Sequence, residues 1–134
     1  MIFYLTGRRW KRGFAETSIS ITDTDMAFSI ILKKKGILIS DCGLEHIEVD
    51  GKAEVELGYD IRSGYWGKGY ATEAGNTVRD YTFTDIGLER LISLIRPTNA
   101  ASIRVAEKIG MIEEHGIERS GHLYYIYSMN REHI

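Results

Sequence analysis

A glycine-punctuated turn between a strand pattern and a helix pattern is the stretch of this chain best suited to chemistry. It reads Gly-Tyr-Trp-Gly-Lys-Gly-Tyr-Ala-Thr-Glu-Ala over residues 64–74. The first turn of a helix has backbone N–H groups without an acceptor inside the helix, and such groups bind phosphate oxygens. Gly67 and Gly69 have no Cβ atom, so an anion can approach the backbone closely. The turn therefore indicates a phosphate-binding loop.

The spacing within this turn narrows the class of ligand. A Walker loop requires Gly-Lys-Ser/Thr, but Lys68 is followed by Gly69, which excludes that class. A dinucleotide fingerprint requires glycine or alanine at the position of Thr72, and an acidic residue at the end of the next strand. Glu89 is at about the right distance but precedes its strand, so this match is poor. Taken alone, the turn is equally consistent with an ordinary tight turn.

The composition is that of one soluble globular domain, residues 1–134, with 43% hydrophobic and 27% charged residues. A net charge of −2 creates no field that would draw the chain to nucleic acid or to a membrane. Cys42 is the one cysteine, which excludes an internal disulfide and fits a reducing compartment. No apolar run is long enough to span a bilayer or to form a signal peptide. We therefore expect a cytoplasmic protein with no direct nucleic-acid partner and no membrane partner.

Two hydrophobic periods divide the chain into strands and helices. Apolar runs or period-two alternation predict strands at 27–32, 37–40, 43–49, 54–61, 90–95, 111–117 and 123–129. Apolar residues at helical spacing from Ala71 predict a helix that ends at Gly87, and Asn99 suits the N-cap of a second, shorter helix. Asp50-Gly51 predicts a hairpin turn. This order predicts an α+β fold with a mixed, mostly antiparallel sheet and one parallel strand–helix–strand crossover.

Three segments together carry a resemblance that the turn alone does not. Glu-Leu-Gly-Tyr-Asp-Ile at 56–61, Tyr-Trp-Gly-Lys-Gly-Tyr-Ala-Thr-Glu-Ala at 65–74 and Asn-Ala-Ala-Ser-Ile-Arg-Val-Ala-Glu-Lys-Ile-Gly-Met at 99–111 closely resemble the GNAT superfamily of acetyl-CoA-dependent N-acetyltransferases. Within that superfamily they resemble the ribosomal-protein-alanine acetyltransferase branch. The resemblance runs from about residue 37 to residue 117, and the motifs have the family's order and separation.

The resemblance implies both a fold and a reaction. The fold is an α/β/α GNAT-like arrangement in which strands 54–61 and 90–95 splay apart at their C-terminal ends and admit the pantetheine arm of CoA. The reaction moves an acetyl group from acetyl-CoA to a primary amine, by direct attack. The expected acceptor is a protein N-terminal α-amine, such as that of a ribosomal protein, or a small amine. Two other functions stay open: a CoA-binding module without turnover, and an interaction protein that has lost the ligand.

The resemblance also assigns residues to the acetyl-CoA site. Backbone N–H groups over 66–71 are expected to hold the pyrophosphate; these residues are Trp66, Gly67, Lys68, Gly69, Tyr70 and Ala71. Asn99 matches the asparagine that reaches the pantetheine amide, a role compatible with capping a helix. Arg104 and the Lys68 side chain are expected to neutralise phosphate charge, with plain solvation as the alternative. No metal is expected, because the four histidines and Cys42 lack metal-ligand spacing.

Two residues are the catalytic candidates. Many relatives have, seven residues after the asparagine, a tyrosine that acts as the acid for the leaving thiolate. This chain has Ala106 at that position. Ser102 matches the ribosomal-protein branch instead, and its hydroxyl is expected to hydrogen-bond the leaving thiolate, with capping or packing as the alternative. Glu56 is the expected general base, because its position as the first residue of Glu-Leu-Gly-Tyr matches the family pattern. The alternative is that Glu54, Glu56 and Asp60 are solvated carboxylates of an edge.

The first 25 residues depart from the family pattern. Members begin with a strand and two helices that wall the acceptor side of the cleft, whereas the first clear family strand here begins near residue 27. We therefore divide the chain into an atypical segment, 1–25, and a family-like core, 26–134, and expect the initial strand and first helix to be missing or rewritten. Pairing with a second copy in a homodimer would replace the missing wall; a purely monomeric species in sedimentation would contradict that hypothesis.

Overall fold

The computed structural model describes residues 3–7, 26–32, 37–61 and 69–131. In chain order the strands are β1 (Phe3–Gly7), β2 (Met26–Leu32), β3 (Ile37–Val49), β4 (Lys52–Ile61), β5 (Arg90–Ile95), β6 (Ile112–Arg119) and β7 (His122–Asn130). The helices are α1 (Tyr70–Asp80), which continues as a π-helical segment (Tyr81–Ile86), and α2 (Ala100–Lys108).

The described strands form one sheet in the order β1-β2-β3-β4-β5-β7-β6. Neighbouring strands are antiparallel except β4 and β5, which are parallel and joined by the crossover through α1. Parallel neighbours require such a crossover, because a tight turn cannot return the chain to the same end of the sheet. The expected α+β fold with one strand–helix–strand crossover is therefore confirmed.

β3 is one long strand where the sequence predicts two. The polar stretch that separates the two predicted segments stays in the ladder, with Asp41 opposite Asp60 of β4 and opposite Ser29 of β2. Local strand propensity is weak there, but neighbours on both sides supply the hydrogen bonds that hold the backbone extended.

An initial strand is present, so of the two expected alternatives, missing or rewritten, the first is wrong for the strand, and the second stays a prediction. β1 pairs antiparallel with β2 over its whole length, from Phe3 opposite Leu32 to Gly7 opposite Phe28. Five residues are too few to show a period in the sequence, and the pairing partner decides the conformation instead. Residues 8–25, in which the first helix was expected to be absent, lie outside the described residues.

The turn and helix-end signals are confirmed, with one addition. Asp50 and Gly51 join β3 to β4 with φ of 52° and 77°, the left-handed pair that a two-residue type I′ hairpin turn uses. The helical segment that begins with α1 ends at Gly87, where φ is 84°. Its last part is π-helical, and the wider turn brings the consecutive residues 81–83 into the interior together. A period of 3.6 cannot bury three neighbours on one face, so the sequence pattern did not indicate this segment.

The core lies between the sheet and the two helices. Side chains alternate along β5, so that Leu91 and Ile95 pack with the helices while Ile92 and Leu94 pack on the other side. We call these two sides the helix face and the opposite face. The helix face holds the larger cluster of buried side chains: Leu44, Leu57, Ala74, Val78, Tyr81, Phe83, Leu91, Ile95, Ala106, Ile109, Met111, Tyr127 and Met129. The opposite face holds a smaller cluster around Val49, Ile92 and Ile126.

β6 forms the edge of the described sheet beside β7. Its side chains are exposed except for the half-buried Ile117. The ladder with β7 shifts register between Glu113 and Gly116, so the strand is irregular as well as solvated.

A charge network joins four strands at the end of the sheet where β5 begins. Arg90 donates to Glu54 of β4, with 3.0 Å between Nε and Oε1, and to Glu114 of β6, with 2.7 Å between Nη1 and Oε2. Ser128 of β7 also donates to Glu114. The hydrogen bonds from Arg90 lower the pKa of Glu114 to about 2. The network therefore holds the first residues of β5 between β4 and the β6–β7 hairpin.

Replacing Glu114 by Gln tests this network. Because the folded-state pKa of Glu114 is depressed, its stabilising effect is fully present above the usual pKa of 4.5 and is lost as pH falls through about 2. The pair is partly exposed, so we expect Glu114→Gln to lower the free energy of unfolding by about 1 kcal/mol at neutral pH, and by less as the pH falls. Urea unfolding over this pH range measures the effect, with the exposed Glu118→Gln of the same strand as control. Equal losses in the two variants would contradict the assignment.

Candidate active site

The two parallel strands diverge and open the sheet at its centre. Within the described residues, β4 and β5 are in register at one position, Glu56 opposite Ile92. Beyond that position side chains replace main-chain pairing: Ser93 Oγ donates to the Leu57 carbonyl at 2.7 Å, and the Leu94 N–H donates to Glu56 Oε2 at 3.3 Å. The C-terminal ends of the strands therefore splay apart, which confirms the expected arrangement of the central strands.

A cavity of about 170 Å³ lies at this divergence. Its wall includes Glu56 of β4, residues 93–96 at the end of β5, Asn99 and Ser102 at the start of α2, and Tyr124 of β7. Sites that enclose a whole drug-sized ligand have volumes of about 300–1,000 Å³, so this volume suits the reactive end of a longer molecule. The cavity brings together three predicted site residues that are far apart in the sequence: Glu56, Asn99 and Ser102.

α1 begins at the glycine where the sequence predicts the phosphate-binding loop to end. Gly69 is the N-cap residue with φ of 79°, and the first helical bond runs from the Glu73 N–H to the Gly69 carbonyl at 3.0 Å. Among the described residues, a Cβ on Gly69 would meet no heavy atom within 4 Å. Tyr70 packs its side chain against the helix-face cluster, so its predicted contact with phosphate concerns its backbone and, like that of Ala71, stays a prediction. Trp66, Gly67 and Lys68 lie outside the described residues, and their roles stay predictions.

Asn99 caps α2, as the sequence predicts. Its Oδ1 accepts a hydrogen bond from the backbone N–H of Ser102 at 3.2 Å, and its own N–H donates to the Arg96 carbonyl at 2.9 Å. The side-chain NH₂ group donates no hydrogen bond to another described residue and is available to a ligand in the cavity. Capping and ligand binding use different atoms of this side chain, so the two predicted roles are compatible.

α2 presents Ser102 and Arg104 to different surroundings. Ser102 is half-buried and lines the cavity, and Ala106 belongs to the same wall. Arg104 is exposed and is not part of that wall. Its predicted contact with phosphate therefore concerns the surface beside the cavity and stays a prediction.

β4 carries Glu54 and Glu56 on the same face, and their surroundings differ. The Glu54 carboxylate is occupied by Arg90, whereas Glu56 lines the cavity. Burial raises the pKa of Glu56 above 4.5, a backbone N–H bond opposes the rise, and Glu45, directly opposite on β3, adds to it. A carboxylate with a raised pKa is a stronger base, so Glu56 is the better placed of the two to accept a proton. The side chain of Asp60 lies outside the described residues.

Three polar residues of the cavity wall were not predicted as site residues: Ser93, Arg96 and Tyr124. Ser93 had a signal in the sequence, because a serine inside an apolar strand needs a buried hydrogen-bond partner, which here is the Leu57 carbonyl. Arg96 and Tyr124 are brought together by the pairing of β5 with β7, which no local pattern reveals.

The cavity connects the two faces of the sheet. α1 and α2 pack on the helix face, and Asn99 and Ser102 at the start of α2 line the cavity from that side. Alternation along β4 puts Glu56 on the opposite face, because Leu57 beside it packs on the helix face. The cavity wall thus includes residues from both faces of the sheet.

Comparison with known proteins identifies the family. The family model described as "Acetyltransferase (GNAT) domain" matches residues 3–112. This chain belongs to the GNAT family of acetyltransferases. The uncharacterized N-acetyltransferase p20 of Bacillus licheniformis is 38% identical over 87 residues, which are 65% of this chain and 48% of that protein. The chain spans about half the length of the curated relatives it matches.

Solved structures agree with this assignment. A GNAT-family acetyltransferase from Bacillus anthracis is 31% identical, with a TM-score of 0.65 over 79% of this chain and 66% of that one. Ribosomal-protein-S5-alanine acetyltransferase from Vibrio fischeri has a TM-score of 0.73 over 83% of this chain and 64% of that one. Its identity of 20% limits that likeness to the fold. The family is confirmed, and the branch within it stays a prediction.

Two further findings concern only the part of the chain that the structure describes. None of its helices has the length and apolar character needed to cross a membrane. No three of its histidine, cysteine, aspartate and glutamate side chains form a group that would hold a metal ion. The cytoplasmic location stays a prediction.

Gly69→Ala tests the anion site at the start of α1. An alanine at this left-handed φ is strained by about 1–2 kcal/mol, and its methyl group would occupy the open space beside the helix N-terminus. We expect acetyl-CoA to bind about tenfold more weakly, measured by calorimetry. Gly121→Ala is the matched control, because Gly121 has φ of 78° and equally open space but lies in the turn between β6 and β7. The prediction fails if both variants bind acetyl-CoA like the unmodified chain.

Proposed function

We propose that this chain transfers an acetyl group from acetyl-CoA to a primary amine by direct attack. The observation that carries the proposal is the cavity between β4 and β5, which places the basic Glu56 and the first turn of α2 around one small space. Each side of that space offers what one reactant of acetyl transfer requires.

The helix face supplies the donor site. Backbone N–H groups of the loop and first turn, from Trp66 to Ala71, hold the pyrophosphate of acetyl-CoA, and the helix dipole adds about 1 kcal/mol. The Asn99 side-chain NH₂ donates to an amide carbonyl of the pantetheine arm. Lys68 and Arg104 neutralise the remaining phosphate charge from outside the cavity.

Glu56 and Ser102 carry out the proton and charge transfers. The acceptor nitrogen attacks the thioester carbon, so that a C–N bond forms and the C–S bond breaks. Glu56 takes the proton that the amine loses, directly or through a water molecule. The Ser102 hydroxyl donates a hydrogen bond to the departing thiolate and stabilises its charge.

The free-energy cost of deprotonating the amine at pH 7 favours an α-amine as acceptor. An α-amine with a pKa near 7.8 is about 14% neutral at pH 7, whereas a lysine amine near 10.4 is about 0.04% neutral. The free-energy costs are about 1 and about 5 kcal/mol. A single carboxylate such as Glu56 suffices for the first, so we include a protein N-terminus, such as that of a ribosomal protein, among the acceptors. A second copy of the chain, as in a homodimer, completes the acceptor wall in this proposal.

Thiol release from acetyl-CoA with a panel of amines tests the reaction, and Glu56→Gln tests the base. We expect Glu56→Gln to lower kcat by about 10²–10⁴-fold with unchanged acetyl-CoA affinity. Because the base must be ionised and its pKa is raised, kcat of the unmodified chain rises with pH through a value above 4.5, and the variant loses that rise. Glu118→Gln, remote from the cavity, is the control. Absence of thiol release with every amine, despite acetyl-CoA binding, would favour a binding module without turnover.

Ser102→Ala tests whether the Ser102 hydroxyl stabilises the thiolate, as opposed to a role of Ser102 in the cap of α2. The backbone N–H of residue 102 still bonds to Asn99 in this variant, so α2 and the donor site are retained. We expect kcat to fall about tenfold while the calorimetric Kd for acetyl-CoA stays within twofold. Unchanged turnover removes Ser102 from the mechanism.

A further inference from the structure

Arg96 and Tyr124 form a cation–π pair at the wall of the cavity, and we call this pair the shelf. The guanidinium carbon of Arg96 lies 5.7 Å from the centre of the Tyr124 ring, within the range of a cation–π contact. Both residues belong to the cavity wall, together with Glu56. The backbone of Arg96 is held as well, because its carbonyl accepts the Asn99 N–H in the turn that leads into α2. The backbone of Arg96 is thus held by the turn, and its exposed guanidinium lies beside the Tyr124 ring.

The charge of Arg96 has no carboxylate partner among the described residues. Arg79, Arg90 and Arg131 each have one, in Asp80, in Glu54 with Glu114, and in Glu89. Arg104 and Arg119 share this lack of a described carboxylate partner but are not part of the cavity wall. A guanidinium stacked on an aromatic ring keeps its N–H edge for a planar anion, and carboxylate oxygens match that edge in two parallel hydrogen bonds. Arg96 is thus equipped to bind a carboxylate that enters the cavity.

The register of the strands puts this shelf on the acceptor side. Tyr124 alternates with Tyr125, which packs on the helix face, so the Tyr124 ring belongs to the opposite face. Glu56 also belongs to the opposite face, because its neighbour Leu57 packs on the helix face. The shelf also lies toward β7, on the side of β5 away from β4. The shelf and the helix face, from which the donor is proposed to enter, are therefore on opposite sides of the sheet.

We propose that Arg96 is a specificity residue that binds a carboxylate of the acceptor, so that the preferred substrates are primary amines that also carry a carboxylate. Such acceptors include amino acids and peptides with an acidic residue near the N-terminus. Glu56 faces the amine of the acceptor and Arg96 its carboxylate, which orients the nitrogen toward the thioester. This inference rests on the proposed function and adds the substrate class to it.

The test compares acceptors that differ only in charge. Each carboxylate acceptor, a peptide beginning with aspartate or glutamate, is paired with the same peptide beginning with asparagine or glutamine, so that the α-amine is nearly the same in both. Thiol release gives kcat and KM for each acceptor and for acetyl-CoA. The variants are Arg96→Gln, Tyr124→Leu, which removes the ring, and Tyr124→Phe, which keeps it. Arg131→Gln, an exposed arginine at the end of β7, is the matched control, and urea unfolding verifies that every variant is folded.

We expect the unmodified chain to prefer the carboxylate acceptors by about 10- to 100-fold in kcat/KM. Arg96→Gln removes this preference by raising the acceptor KM, with kcat and the KM for acetyl-CoA nearly unchanged. Tyr124→Leu reproduces part of that change, whereas Tyr124→Phe and Arg131→Gln do not. Equal use of acids and amides by the unmodified chain overturns the inference, as does a change in Arg96→Gln confined to the KM for acetyl-CoA. Those results leave the proposed function standing, whereas no transfer to any amine overturns both.

Discussion

Two neighbouring parallel strands ordinarily satisfy each other's N–H and C=O groups along their length. β4 and β5 are in register beside Glu56 and Ile92 and then separate, which leaves backbone groups near the centre of the sheet to be satisfied in another way. A buried group without a partner costs about 1–3 kcal/mol, so strands that separated with no substitute would be unstable. The Ser93 hydroxyl and the Glu56 carboxylate supply the substitutes. The opening is stable because side chains replace part of the ladder.

The hydrogen bond that replaces part of the ladder also orients the Glu56 carboxylate. One of its oxygens, Oε2, accepts the Leu94 N–H, which orients the carboxylate at the wall of the cavity. At the far end of β5, the Arg90 network holds the strand between its neighbours. β5 is therefore held by hydrogen bonds at its beginning and separated from β4 at its end.

Local signals in the sequence located most elements, and pairing between distant segments decided the rest. The bounds of β5, the turn at Asp50-Gly51 and the cap at Asn99 follow from residues within a few positions of each other. The choice between Glu54 and Glu56 required knowing where Arg90 lies, because periodicity gives both carboxylates the same face. β1 likewise depends on β2, and the shelf on Tyr124 depends on the β5–β7 ladder. The resemblance supplied the splayed strands, which no pattern within either strand would have indicated.

The exposed edge strand β6 affects how the protein behaves at high concentration. An edge strand presents unpaired backbone groups to other molecules, and flat apolar edges stack into fibrils. β6 has glutamates at 113, 114 and 118 and a break in its ladder, so a second edge would meet like charges and a mismatched backbone. This border therefore protects the chain against strand-by-strand aggregation in a crowded cell.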